Sequence, residues 1–155
     1  MRRTLAEQVV VRPMTLDDLG AVWRLGKSLF TGEISYSKRL WTEDELLARF
    51  VDEPPLCLTA TFKDRVVGFT IGAILRRAGS SWATGYLVWI GVSKRYQRKQ
   101  VALKLYRELE RRLRERGARN VIAEVETRNL KALGFMRKAG FHEDHTVSFL
   151  KKRLS

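Results

Sequence analysis

The chain has 155 residues and a mass of 17.9 kDa, with 45% hydrophobic and 30% charged residues; this is the size and make-up of one globular domain, and it excludes disordered and fibrous classes. Thirty Lys+Arg against 17 Asp+Glu give a net charge of +13 and a pI near 10.5, which favours an anionic partner such as nucleic acid, an acidic membrane surface or a phosphorylated cofactor. Cys57 is the only cysteine, which excludes an intrachain disulfide or a cysteine-based zinc site and suits a reducing, cytoplasmic setting.

Val9-Val10-Val11 reads as a short strand stopped at Pro13. Thr15 is the expected N-cap of a first helix, with Asp17 and Asp18 in its first turn and Leu16, Leu19, Val22, Trp23 and Leu25 turned toward a core. Thr31 to Leu40 is polar and bears a glycine, so it reads as a loop or an irregular helix. Thr42-Glu43-Asp44-Glu45 is a capping box that opens a second helix through Leu46, Leu47 and Phe50, ended by Pro54-Pro55. Leu56–Phe62 and Val66–Leu75 read as strands joined by a turn at Lys63-Asp64-Arg65. Trp82–Val92 is a third strand, with Tyr86, Val88, Ile90 and Val92 expected on one face and Leu87 and Trp89 on the other. From Arg98 to Arg116 the period becomes helical, with Val101, Ala102, Leu105, Leu109 and Leu113 in one stripe and Gly117 beyond the end. Asn120–Glu126 reads as a strand, Asn129–Lys138 as a short helix closed by Gly140, and Phe141–Leu150 as a last strand. Hairpins early and a strand–helix–strand unit late predict an α+β (three-layer α/β) domain over residues 1–155, built on a mixed, mostly antiparallel sheet flanked by helices. No apolar run approaches the about 18 residues of a membrane span.

The stretch that carries chemistry begins where the strand ending at Val92 leads into Ser93-Lys94-Arg95-Tyr96-Gln97-Arg98-Lys99-Gln100-Val101-Ala102 and opens a helix. Unpaired N–H groups and the positive dipole end of a helix make an anion site. Arg95, Arg98 and Lys99 add formal charge around it, as a pyrophosphate cradle would require.

These residues resemble the GCN5-related N-acetyltransferase (GNAT) superfamily. Members carry a strand ending in valine, then an Arg/Gln-x-x-Gly-x-Gly/Ala turn that binds the pyrophosphate of acetyl-coenzyme A; here Val92 and Gln97-Arg98-Lys99-Gln100-Val101-Ala102 stand in those places. A later Asn-x-x-Ala and Gly-Phe signature is matched by Asn129, Ala132, Gly140 and Phe141, so the resemblance covers essentially the whole chain. It implies acetyl-CoA as co-substrate without a metal, and direct transfer of the acetyl group to a primary amine on a peptide N-terminus, a lysine or a small molecule. Ile90, Gly91 and Val92 would hold the pantetheine arm, with the Ile90 N–H stabilising the oxyanion, and Asn129 would contact the arm. A GNAT subgroup that acetylates ribosomal-protein N-termini has a proposed base five residues before the motif asparagine, which is Glu124 here. Glu126 would share its face and orient the site. Many relatives are dimers, so a homodimer is compatible with the resemblance.

Two residues depart from the pattern. Gln100 replaces the first family glycine, a change that a helical backbone at that position would tolerate. Met136 stands where many members place the tyrosine that protonates the thiolate, which predicts slower turnover; Tyr36 is a substitute donor. The alternative functions are a CoA-binding regulatory module with weak or lost catalysis and a basic nucleic-acid-associated protein, the latter without a supporting motif. From Lys94 to Arg119 there are 11 Lys+Arg and three Glu. Pairs such as Glu108–Arg112 and Glu110–Arg114 would neutralise part of that charge, and the strong overall charge argues against polycationic acceptors. His142 and His145 read as solvated surface, and Trp82, Tyr86 and Trp89 as core or acceptor cleft.

Overall fold

A computed structural model of the chain describes residues 1–31 and 40–155. Five strands form one sheet in sequence order: β1 (Val10–Pro13), β2 (Cys57–Phe62), β3 (Arg65–Arg76), β4 (Ala83–Val92) and β5 (Ala118–Ile122). Neighbours from β1 to β4 are antiparallel, whereas β5 runs parallel to β4. Among the described residues five α-helices accompany them: α1 (Leu5–Gln8), α2 (Leu19–Leu29), α3 (Glu43–Asp52), α4 (Val101–Glu115) and α5 (Leu130–Lys138).

Each face of the sheet has its own core, which makes three layers. On one side Leu105, Leu109 and Leu113 of α4 pack with Leu58, Ala60, Leu87 and Val92. On the other, Val22 of α2 and Leu46 of α3 pack with Trp41, Phe69, Ile71 and Trp89. The apolar stripe of α4 is buried as its spacing predicts. Glycines set how closely it lies: a Cβ on Gly72 would stand 2.6 Å from Leu109 Cδ1, and one on Gly85 would stand 2.9 Å from Leu113 Cδ1. Lys63 and Asp64 take positive φ in the β2–β3 turn, as a tight hairpin between right-twisted strands requires. Arg12 clasps the Asp18 carboxylate with both guanidinium nitrogens at 2.6 and 2.9 Å and ties β1 to the approach to α2. That clasp, with the N–H and hydroxyl of Thr15, holds the Asp18 carboxyl below its ordinary value against the opposing effect of burial.

Four expectations need correction. The strand alternation on β4 breaks, because Trp89 pairs with Ile71 while Leu87 pairs with the next residue, Gly72. Val88 is the extra residue of a bulge, and such an insertion reverses the facing of everything beyond it. Leu87 therefore lies in the α4 core, Trp89 in the α2 core, and Ile90 and Val92 return to the α4 side. The strand read over Asn120–Glu126 runs instead from Ala118 to Ile122, so residues 123–126 continue without regular structure. Residues 141–150 are likewise not a strand; the His142-Glu143-Asp144-His145 run is charged and exposed, and Glu143 is drawn toward Arg137 of α5 at 3.8 Å. Leu16 sits in a short 3₁₀ turn before α2 and is exposed rather than core-facing.

Candidate active site

Register pairing between β4 and β5 covers Ala83–Ala118, Thr84–Asn120, Gly85–Val121 and Tyr86–Ile122. Beyond Ile122 the pairing ends, and from Leu87 to Val92 β4 has no strand partner on that side among the described residues. At about 3.3 Å per residue this is an unpaired strand edge of roughly 20 Å. An extended ligand carrying amide groups can add to such an edge as a strand does. The Val88 bulge lies within this stretch, and so do Ile90, Gly91 and Val92, the expected arm-binding residues.

The edge ends at the loop that opens α4. Lys94–Tyr96 form a 3₁₀ turn in which the Tyr96 N–H donates to Ser93 O at 2.8 Å. The α4 ladder begins only with the Lys104 N–H to Gln100 O, so the N–H groups of Val101, Ala102 and Leu103 have no partner within the helix. No acidic residue occupies the first turn of α4. Arg98, Lys99 and Gln100 are exposed around it, while the Val101 side chain is buried in the core and contributes only its backbone. Farther along α4 the expected Glu108–Arg112 and Glu110–Arg114 pairs form. Glu108 accepts from Arg111 and Arg112, which pull its pKa down to about 2, and Arg114 lies 3.5 Å from Glu110. Arg111, Arg112 and Arg114 are thus paired with glutamates, whereas Arg98 and Lys99 ahead of the helix are exposed and form no ion pair among the described residues.

Gln100 adopts φ 64° and ψ 11°, in the left-handed region. The expectation that helical backbone would accommodate its side chain is overturned: glycine is the residue that suits this conformation, and a side chain here is strained. Arg98 also has positive φ, 59°.

Gln97, expected at the phosphates, has its amide engaged within the protein. Its Nε2–H donates to Val92 O at 2.8 Å, and its Oε1 accepts from Lys131 Nζ. Lys131 lies in the first turn of α5 and was not singled out from the sequence, although a lysine there opposes the helix dipole and so stands out. Asn129 caps α5, its Oδ1 accepting from the Ala132 N–H at 3.2 Å. Glu124 is exposed beyond the end of β5 and Glu126 is partly exposed; the same-face relation inferred from a strand does not apply, since neither is in one. Met136 is buried in the α4 core, so its position presents no proton donor to the cleft. Burial raises the Tyr106 hydroxyl to about 12. Tyr36 lies outside the described residues. Trp89 is core, its indole N–H donating to Glu45 at 3.3 Å, whereas Trp82 is half-exposed just before β4.

Residues 23–141 match the acetyltransferase (GNAT) family. The chain belongs to that family. Among solved structures, an aminoglycoside acetyltransferase from an uncultured soil metagenomic sample aligns with a TM-score of 0.75 at 18% identity, over 96% of this chain and 98% of that one. Aminoglycoside N-acetyltransferase AAC(6')-Iy in complex with CoA aligns with a TM-score of 0.74 at 22% identity, over 94% and 95%. Ard1 from Thermoplasma volcanium aligns with a TM-score of 0.73 at 24% identity, over 87% and 83%. At such identities these likenesses establish the fold. No curated protein matches the chain in sequence. No helix among the described residues is long and apolar enough to cross a membrane.

Proposed function

We propose that residues 1–155 form one catalytic domain that transfers the acetyl group of acetyl-CoA directly to a primary amine, on a peptide N-terminus, a lysine or a small molecule. The observation that carries this reading is the β4 edge from Leu87 to Val92, which no strand among the described residues pairs, running into the acid-free start of α4. An amide-bearing arm fits the first part, and a pyrophosphate fits the second. Arg98, Lys99 and the N–H groups that begin α4 would hold the phosphates; Ile90, Gly91 and Asn129 would flank the arm. Gln97 and Val92 offer less than the sequence promised, since the Val92 carbonyl and the Gln97 amide already bond to each other.

Transfer requires a neutral amine, and amines are protonated near pH 7, so a base must take the proton. Glu124 is the proposed base: it stands exposed beyond β5, past the point where β4 and β5 separate. The amine then attacks the thioester carbonyl, the Ile90 N–H stabilises the oxyanion, and coenzyme A leaves as a thiolate. A thiol with a pKa of about 8.5 is a good enough leaving group for water to protonate. The positive overall charge disfavours polycationic acceptors in general. The field is not uniform, however: from Glu43 to Glu53 five carboxylates face Arg49 alone, so a cationic amine approaching α3 meets attraction.

A second reading, a CoA-binding module that has lost turnover, is favoured by Met136 in the core and by the strained Gln100. Calorimetry with acetyl-CoA followed by thiol release across an amine panel separates the two. Saturable binding with release supports the enzyme, binding without release supports the module, and absence of binding refutes both.

A further inference from the structure

Two helices start beside the opening between β4 and β5, α4 and α5, and neither has an acid in its first turn. Their dipoles already place partial positive charge there. The first turn of α5 adds Lys131, with Arg128 just ahead of it. A cation at that end of a helix is unfavourable unless an anion compensates it. Among the described residues Lys131 forms no ion pair; its ammonium is held by a neutral amide oxygen, that of Gln97. Gln97 is itself fixed by its bond to Val92 O at the end of the open β4 edge. The side chain of Lys131 thus crosses from α5 to the loop that begins α4 and brings its charge to Gln97, the residue next to Arg98 and Lys99.

We infer that Lys131 is a phosphate-binding residue of this site, positioned by Gln97, so that the phosphate chain is gripped between the start of α4 and the start of α5. Gln97 acts through Lys131 and is a positioning residue. The inference rests on the acetyl-CoA reading above and extends it to the side of the cleft where the sequence marks only Asn129. It also assigns a preference: donors bearing phosphates gain from Lys131, and the bare pantetheine arm does not.

Binding calorimetry with CoA, dephospho-CoA and pantetheine tests this on the intact chain. Lys131→Gln should weaken CoA binding about tenfold, which corresponds to about 1.4 kcal/mol, while pantetheine binding stays unchanged. Lys131→Arg should restore most of the loss. Gln97→Ala should weaken CoA by a smaller factor, and in the double variant the two losses should not add. If the tenfold loss persists with dephospho-CoA, the pyrophosphate is the group held; if it vanishes there, the 3′-phosphate is. Equal CoA affinity in wild type and Lys131→Gln overturns the role of Lys131 while leaving the acetyl-CoA reading intact, as does an equal loss toward pantetheine. Failure of the wild type to bind CoA overturns both.

Discussion

Gln100→Gly should improve both stability and cofactor binding. The wild-type residue is held at φ 64° immediately before α4. A side chain in the left-handed region costs about 1–2 kcal/mol, and glycine removes that cost from the folded state. Glycine also widens the unfolded ensemble, which takes back about 0.4–1 kcal/mol. The balance is a net gain of about 1 kcal/mol. For a chain of this length that is a rise in Tm of about 2–4 °C. Gln100→Ala is the control, because its Cβ keeps the strain while removing the amide; its Tm should not rise. The same exchange lets the backbone approach the phosphates more closely, so the Kd for CoA should fall several-fold in the glycine variant alone. Thermal unfolding and calorimetry on the three proteins read both effects. A glycine variant no more stable than the alanine variant, with unchanged CoA affinity, would refute the assignment of strain to this position.

Glu124→Gln should lower the rate of acetyl transfer by about 10²–10⁴-fold with little change in acetyl-CoA affinity; an unchanged rate in a thiol-release assay removes Glu124 as the base. Asp18→Asn should cost about 1–3 kcal/mol near pH 7 by breaking the charged clasp with Arg12. Because the Asp18 carboxyl titrates below its unfolded value, its contribution is present above the unfolded pKa of about 3.9 and is lost as pH falls through the folded value. Urea titrations of the two proteins should therefore converge in acid and diverge above it. Gly72→Ala should destabilise by about 1–3 kcal/mol, since the new Cβ would stand 2.6 Å from Leu109 Cδ1 and push α4 off the sheet. Loss of CoA affinity should accompany it if the start of α4 holds the phosphates as proposed.

Periodic features were legible before any coordinates. The stripe of Leu105, Leu109 and Leu113, the cap at Thr42 and the Lys63-Asp64 turn are local, and side-chain chemistry alone specifies them. What escaped depends on pairing between distant strands. The Val88 bulge leaves no mark in Tyr86-Leu87-Val88-Trp89-Ile90, where every residue suits either face, so Leu87 and Trp89 were placed together. The end of β5 at Ile122 is set by the divergence of β4 and β5, and Ala123-Glu124-Val125-Glu126 alternates well enough to continue a strand. At the candidate site, the sequence leaves Gln97 free for a ligand, whereas the structure engages its amide with Val92 and Lys131, groups five and 34 residues away.

The shallow attachment of β5 has a thermodynamic consequence. None of its residues is fully buried, it borders only β4, and α5 beyond it buries Met136 alone. Residues from 118 onward should therefore open at lower free energy than the strands between the two cores. A ligand bridging β4 to α5 would supply the lateral contacts that β5 stops providing at Ile122. Its binding free energy and the closing of this segment would then be one coupled equilibrium, and amide exchange in α5 would slow in proportion to ligand saturation.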